Sequence, residues 1–552
     1  MTAQPRFTAL GKLVSILLVA GLIALGAYML QGGVPGLPGI PGLGSGGGGD
    51  APEVRDVQLS VPTLSPPGTF ALKDNTIPVE ISEYAGYAGL IAANGGLEPN
   101  ENSLFFKNHG FKVRLTVSED EDWSELNEGR IAASVTTVDV LAAYGRQLHA
   151  VVPAQVGFSR GADAVVVRSE IKRINELKGR TIATAQFTEV DFLIRYLAQE
   201  AGLAINALGS LEATPHPDRL NVVYTEDGFS AGELFQRDLT SGGNRLAGCV
   251  TWEPKVSEVV SGSGGKAHVL TTNRNLLIIA DVLVVHRGFA QEHPKLVHGL
   301  VQGLLEGNRM VRDRPDQYLD VVGRAFKWSR EDTKNELANV HLSNLPENLA
   351  FFSGAIDAAG SFSGIYQSAV LAYGSDLIKD PPDPSRFADL SFLQALDKSG
   401  IFKEQAVAIA PIRTASRTSL EADPLLSKDI RFLFEPNSAS LDHANPDNLK
   451  NLEDIRRLLQ VSPGSTLLLR GHVDNARVEE FRKTGGDAYV RQQALRAMEL
   501  SKNRAGEIRT ALVERHKIDP KRIDVVGRGW EEPSGPNSDL NRRVEVQWFT
   551  VE

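Results

Sequence analysis

Three short runs near the C-terminus carry residue types that could together hold a zwitterion. Leu-Leu-Leu-Arg-Gly-His-Val-Asp at 467–474 reads as an apolar strand ending in a carboxylate, Asp474. Leu-Ser-Lys-Asn-Arg-Ala at 500–505 sets Arg504 near the start of a helical pattern. Asn-Arg-Arg-Val-Glu at 541–545 opens a last strand with Arg542 and Arg543. A guanidinium fork meets a carboxylate through two parallel hydrogen bonds, which lysine cannot reproduce, while an aspartate can hold an ammonium group. Ser501 and Asn541 stand where they could orient the two charges. Arg542 and Arg543 are neighbours on a strand, so only one of them can face the pocket.

Positioning these groups requires a small α/β unit. The order read from the sequence is strand Ile430–Phe434, helix Asp447–Gln460, strand Ser465–Gly471, helix Val490–His516, then strands near Ile523–Val526 and Arg543–Phe549. With its three motifs in this order, the stretch 428–552 resembles the OmpA-like peptidoglycan-binding family. The resemblance implies that Asp474 and Arg504 grip the diaminopimelate of the wall stem peptide, with Ser501, Asn541, Arg542 and Arg543 around them. This chain departs from the family pattern in three places. Val473 stands where the family has Thr, Ala497 where it has Asn, and the stretch 475–498 is long, with a charged insertion around Glu479–Asp487. Either a weaker site or a covered one is expected from these changes.

At 552 residues the chain is too long for one core, so two or three domains are expected. Hydrophobic content of 42% and charged content of 23% are ordinary for globular protein. A net charge of −10 gives no support for nucleic-acid binding. The single cysteine, Cys249, excludes an internal disulfide and any multi-cysteine metal site, and its apolar setting places it in a core strand. No metal, cofactor or catalytic constellation is expected: His109, His149, His286 and His293 are scattered, and no Ser-His-Asp set or phosphate loop appears.

Residues 13–30 carry no charge and would span about 27 Å as a helix, close to a hydrocarbon core. Arg6 and Lys12 precede the run and the next basic residue is Arg55, so the positive-inside bias places 1–12 in the cytoplasm and the bulk of the chain in the periplasm. A single-pass inner-membrane anchor is favoured over a cleaved signal peptide because the run exceeds a usual signal core. The run has no Asp or Glu, which argues against the proton-conducting role of flagellar stator proteins. Residues 31–68 are rich in Gly and Pro and read as a tether, about 30–35 Å long as a coil.

From 69 to 390, short β-rich runs alternate with amphipathic helices, which argues for α/β units with mainly parallel sheets in two lobes. Strands are expected at 77–82, 112–117, 132–135, 162–167, 181–184, 248–251 and 281–285, with helices at Val190–Ala201 and Lys295–Arg312. Five segments in order resemble the solute-binding proteins of nitrate-, sulfonate- and taurine-type ABC transporters: Asn102–Phe111, Leu126–Ser134, Gly161–Val167, Ile174–Ala183 and Thr251–Pro254. The resemblance implies two lobes joined by crossing strands, with a small solute held in the cleft and possible delivery to an ABC permease. Related thiamine-pyrimidine synthases need a cysteine-rich motif that this chain lacks. Cleft candidates are Tyr84, Tyr87, Thr136, Thr137, Gln186, Thr188, Trp252 and Glu253. Helix N-termini would favour an anion there, whereas Glu189 and Glu253 point to a zwitterionic or cationic solute. Residues 391–427 read as a connector. The expected whole is a membrane-anchored, wall-tethered solute-binding protein. The alternative is a structural or sensory envelope protein without a transport role.

Overall fold

The computed structural model describes residues 53–118, 123–355, 360–409, 424–435, 438–462, 464–535 and 538–549. The anchor expected at 13–30 lies outside the described residues. Among those described, no helix is long and apolar enough to cross a membrane.

Two six-stranded sheets form the two lobes. The first contains β1 (Thr76–Ile81), β2 (Lys112–Val117), β3 (Ala133–Thr137), β4 (Ala150–Ser159), β11 (Ala280–His286) and β12 (Val340–Leu342), in the order β12-β4-β11-β3-β1-β2. The second contains β5 (Asp163–Arg168), β6 (Thr181–Ala185), β7 (Ile205–Ala207), β8 (Leu220–Thr225), β9 (Gly248–Trp252) and β10 (Ala267–Thr272), in the order β10-β5-β9-β6-β8-β7. The chain passes between the lobes twice, from β4 into β5 and from β10 into β11. The sheets are mixed rather than mainly parallel. β1 runs parallel to β2 and β3, and β6 parallel to β8 and β9. The strands flanking each crossing enter in the opposite sense, so β3–β11, β4–β11, β5–β9 and β5–β10 are antiparallel.

Residues of β5 and β11 read as near-continuous apolar runs because both faces of each sheet are buried. The helix Glu189–Glu200 buries Phe192, Leu193 and Leu197, and Pro294–Asp313 buries Val297, Leu300, Val301 and Leu304. Cys249 is fully buried in β9, and burial pushes its thiol pKa up.

The tether expected across 31–68 differs in its last part. From Glu53 onward the segment is ordered against both lobes. Arg55 N donates to Tyr224 O, Gln58 and Gln186 exchange backbone–side-chain hydrogen bonds at 2.8 and 2.9 Å, and Gln147 exchanges a similar pair with Pro62 and Leu64. Gly68 N then donates to Asn127 O. This strap runs from the second lobe to the first.

The C-terminal sheet has the order β13-β16-β14-β15, with β13 (Leu426–Ile430), β14 (Thr466–Gly471), β15 (Ile523–Gly527) and β16 (Val544–Phe549). β13 lies earlier than the strand expected at 430–434: Leu426 to Ile430 pair with Trp548 to Val544 of β16, and both end residues are buried. The connector expected at 391–427 contributes the helix Ser391–Ser399 before the undescribed stretch 410–423. The helix Val478–His516 absorbs the insertion and breaks at Gly485 and Gly486, whose dihedrals are non-helical. Ahead of that break, Phe481 packs its ring 6.1 Å from Trp530.

Candidate functional sites

A cavity of about 310 Å³ lies between the lobes. It opens outside the carboxyl ends of the parallel strands, where α/β sheets ordinarily leave a crevice for ligands. β1 delivers Ser82, Glu83 and Tyr84, β3 delivers Thr136 and Thr137, β6 delivers Gln186 to Glu189, β8 delivers Glu226 and Asp227, and β9 delivers Trp252. Of the cleft candidates, Tyr84, Tyr87, Thr136, Thr137, Gln186, Thr188 and Trp252 all line the cavity. Glu253 does not line it. Its carboxylate accepts from Ser257 N and Ser257 Oγ at the start of the helix Lys255–Gly262.

Tyr84 and Tyr87 meet edge to face at 5.3 Å, so each both packs and presents a ring to the cavity. Thr137 occupies an N-cap position, yet its hydroxyl makes no capping bond. The Thr136 and Thr137 hydroxyl oxygens are buried and have no hydrogen-bond partner. The loop Gln186–Glu189 is held from beneath. Asp191 accepts from Phe187 N at 3.2 Å and from Arg195 Nε at 2.8 Å, and Arg195 reaches Tyr224 Oη at 2.6 Å. Phe187 sits at φ 64°, a left-handed conformation that costs a bulky residue about 1–3 kcal/mol and is typical of ligand clamps.

Five carboxylates of the lining were missed from sequence, Glu83, Asp163, Glu226, Asp227 and Asp281, and two of them are deeply buried. Asp281 heads β11, opposite Thr137 in register, and accepts from Tyr87 Oη at 3.0 Å. Asp163 heads β5, opposite Trp252, and accepts from Ser159 Oγ at 2.5 Å and Asn273 Nδ2 at 2.8 Å. Burial raises the pKa of Asp163 to about 6 and pushes Asp281 well above the usual carboxylate range, with Asp163 itself adding to that rise. A carboxylate at the head of an otherwise apolar strand was the available signal.

The second site lies in the C-terminal domain. β14 ends on Gly471, where an added Cβ would come 2.0 Å from Ser501 O, so the helix carrying Arg504 lies directly on the strand that leads to Asp474. Arg504 Nε donates to Ser438 O at 3.1 Å, and its guanidinium stands 4.9 Å over the Phe434 ring. Burial and then the charge of Arg542 lower the Arg504 pKa, while Asp474 opposes them. Asp474, Arg504 and Arg542 thus share one electrostatic neighbourhood. Arg542 Nε donates to Asp474 Oδ2 at 2.7 Å. Arg543 turns the other way, to Asp429 Oδ2 at 3.0 Å.

Ser501 and Asn541 have supporting geometry. The Ser501 hydroxyl donates to Met498 O and accepts from Gly529 N. Asn541 clamps the 534–535 loop through Ser534 N and Gly535 O. Nearby, His472, Glu532 and Glu545 have ligand atoms within 4.8 Å of one another. Arg470 bonds to both carboxylates, which makes this an ion-pair network. Despite burial, hydrogen bonds from His472 and Gln547 and the Arg470 charge hold Glu545 down to about 2.

Residues 433–547 match the sequence model of the OmpA family. No curated protein matches the chain. Among solved structures, the chain is similar to the periplasmic aliphatic sulphonate binding protein SsuA from Escherichia coli, with 16% identity over 57% of this chain and 97% of that one, and a TM-score of 0.44. The alkanesulfonate-binding protein SsuA from Xanthomonas axonopodis pv. citri, bound to MOPS, gives 14% identity, 58% and 99% coverage and a TM-score of 0.43. The nitrate-binding protein NrtA from Synechocystis PCC 6803 gives 12%, 61% and 91%, with a TM-score of 0.42.

Proposed function

We propose that this chain captures a small solute in the interlobe cleft while its C-terminal domain holds peptidoglycan. In this reading residues 13–30 anchor it in the inner membrane and the described residues stand in the periplasm, where an ABC permease is a possible recipient of the solute. The role is binding, with no catalytic step. The observation that carries the reading is the convergence of Asp474, Arg504 and Arg542 within the OmpA-family domain. Arg504 and Arg542 offer two guanidinium forks for a carboxylate, and Asp474 can exchange its Arg542 partner for an ammonium group.

The test is calorimetric titration of the detergent-solubilised full chain with L-Ala-D-Glu-meso-diaminopimelate. Binding is expected to weaken at least tenfold in Asp474→Ala and in Arg504→Ala. The lysine-containing tripeptide, which lacks the second carboxylate, is expected to bind more weakly than its diaminopimelate counterpart. Equal binding in all three proteins would remove the assignment.

A sensory relay is a second reading, favoured by the seating of the C-terminal domain. Ile174 N donates to Leu425 O, Asn175 and Ser427 exchange two bonds at 2.8 Å, and Leu277 N donates to Val461 O at 2.6 Å. Leu277 belongs to the 273–279 crossing, which also supplies Asn273 to Asp163 and Ile279 to the cavity wall.

A further inference from the structure

The cavity has an unbalanced lining. Among the described residues it carries six carboxylates, Glu83, Asp163, Glu189, Glu226, Asp227 and Asp281, and no Lys, Arg or His. Several are engaged elsewhere. Glu226 pairs with Arg55 of the strap at 2.6 Å, Glu83 accepts from Trp328 Nε1, and Asp227 caps the helix Gly228–Thr240 through Ser230 N. Glu189 is also engaged, which leaves Asp163 and Asp281, one from each lobe. Among the described residues, their hydrogen bonds come only from neutral groups.

A second observation is independent of charge. Asp281 Oδ2, Thr136 Oγ1 and Thr137 Oγ1 line the cavity without a partner, on residues only 2%, 3% and 7% exposed. Leaving such atoms unpaired costs about 1–3 kcal/mol each, so a ligand that pairs with them gains affinity. Asp281 and Thr137 face each other across the β3–β11 register, which brings the acceptors together. Five aromatic residues, Tyr84, Tyr87, Tyr144, Phe187 and Trp252, share the lining. Ring faces attract a cation and pack an apolar body.

We propose that the cleft takes a protonated amine carried on an apolar or aromatic body, its N–H groups donating to Asp281 and the threonine hydroxyls. This deepens the solute-binding reading and rests on it. An anion would meet Asp163 and Asp281 with no compensating base. A quaternary ammonium would satisfy the charge but supply no N–H donor.

The experiment is equilibrium binding and thermal shift on the detergent-solubilised full chain, using phenethylamine, putrescine, tetramethylammonium, methanesulfonate and nitrate. Phenethylamine is expected to bind and to raise the melting temperature. Tetramethylammonium should bind at least tenfold more weakly, and the two anions should give no shift. Asp281→Asn should lower phenethylamine affinity at least tenfold. Thr136→Val, a near-isosteric change, should lower it several-fold and serves if Asp281→Asn does not fold. Calorimetry in buffers of different ionisation enthalpy should show proton release on amine binding, since the buried carboxyls must ionise to receive the cation. Tighter binding of an anion, or full phenethylamine affinity in both variants, would overturn the amine while leaving a solute-binding cleft. No shift with any probe would overturn both.

Discussion

At the residue scale, Asp163 shows how a binding cleft trades stability for readiness. Its pKa is raised from 3.8 to about 6 because burial penalises the charged form. A carboxyl raised on folding costs nothing below the unfolded value, costs progressively more between about pH 4 and 6, and carries the full cost above that. Asp163→Asn cannot ionise and is expected to stabilise the chain by about 1–3 kcal/mol at pH 7 and less at pH 5, read from unfolding midpoints at the two pH values. The same variant should bind an amine more weakly. Asp163 and Asp281 were hard to see because each precedes a valine-rich apolar run. Only the strand register reveals that both point into the cleft. Tyr84, Thr136, Thr137, Gln186 and Thr188 were legible because each follows or ends a strand read from its own β-rich pattern, and Trp252 lies at the end of β9.

At the scale of elements, seven of the lobe strands were readable from β-rich runs, while β4, β7, β8, β10 and β12 were not. Ala150–Ser159 contains Pro153, Gln155 and Gly157, which break the pattern, yet all ten of its positions are buried because β11 and β12 pair on either side. Gly157 accepts that closeness: a Cβ there would come 2.4 Å from His341 O. The strap was hidden for a similar reason, since its Pro and Gly content reads as tether. Its Gln58 and Arg55 hold Gln186 and Glu226, two residues of the cleft lining. Removing the Arg55–Glu226 ion pair with Arg55→Ala is expected to raise the association and dissociation rates of a cleft ligand together, with stopped-flow fluorescence as the check. The stability change should stay within about 1 kcal/mol, because the pair is exposed. Gly471 sets the second element-level prediction. Gly471→Ala must displace Ser501 and the helix bearing Arg504, so a loss of about 2–4 kcal/mol and weaker wall binding are expected, measured by thermal unfolding and tripeptide titration.

At the scale of the whole described body, the C-terminal domain is continuous with the second lobe. Leu425, Leu426, Ile455 and Leu458 share one hydrophobic cluster with Ile174, Leu177 and Tyr196, and Arg457 stands 3.7 Å from the buried Glu200. The same cluster takes in Val138, Leu141 and Phe158 of the first lobe. No composition or motif reading announces such a seat, because it depends on which apolar face of each domain lacks a cover. The most direct test is cosedimentation of the full-length chain with purified diaminopimelate-type sacculi, comparing wild type, Asp474→Ala, Arg504→Ala and Asp281→Asn. Retention is expected for wild type and Asp281→Asn, with both C-terminal variants lost to the supernatant. Undiminished retention of Asp474→Ala and Arg504→Ala would contradict the wall site.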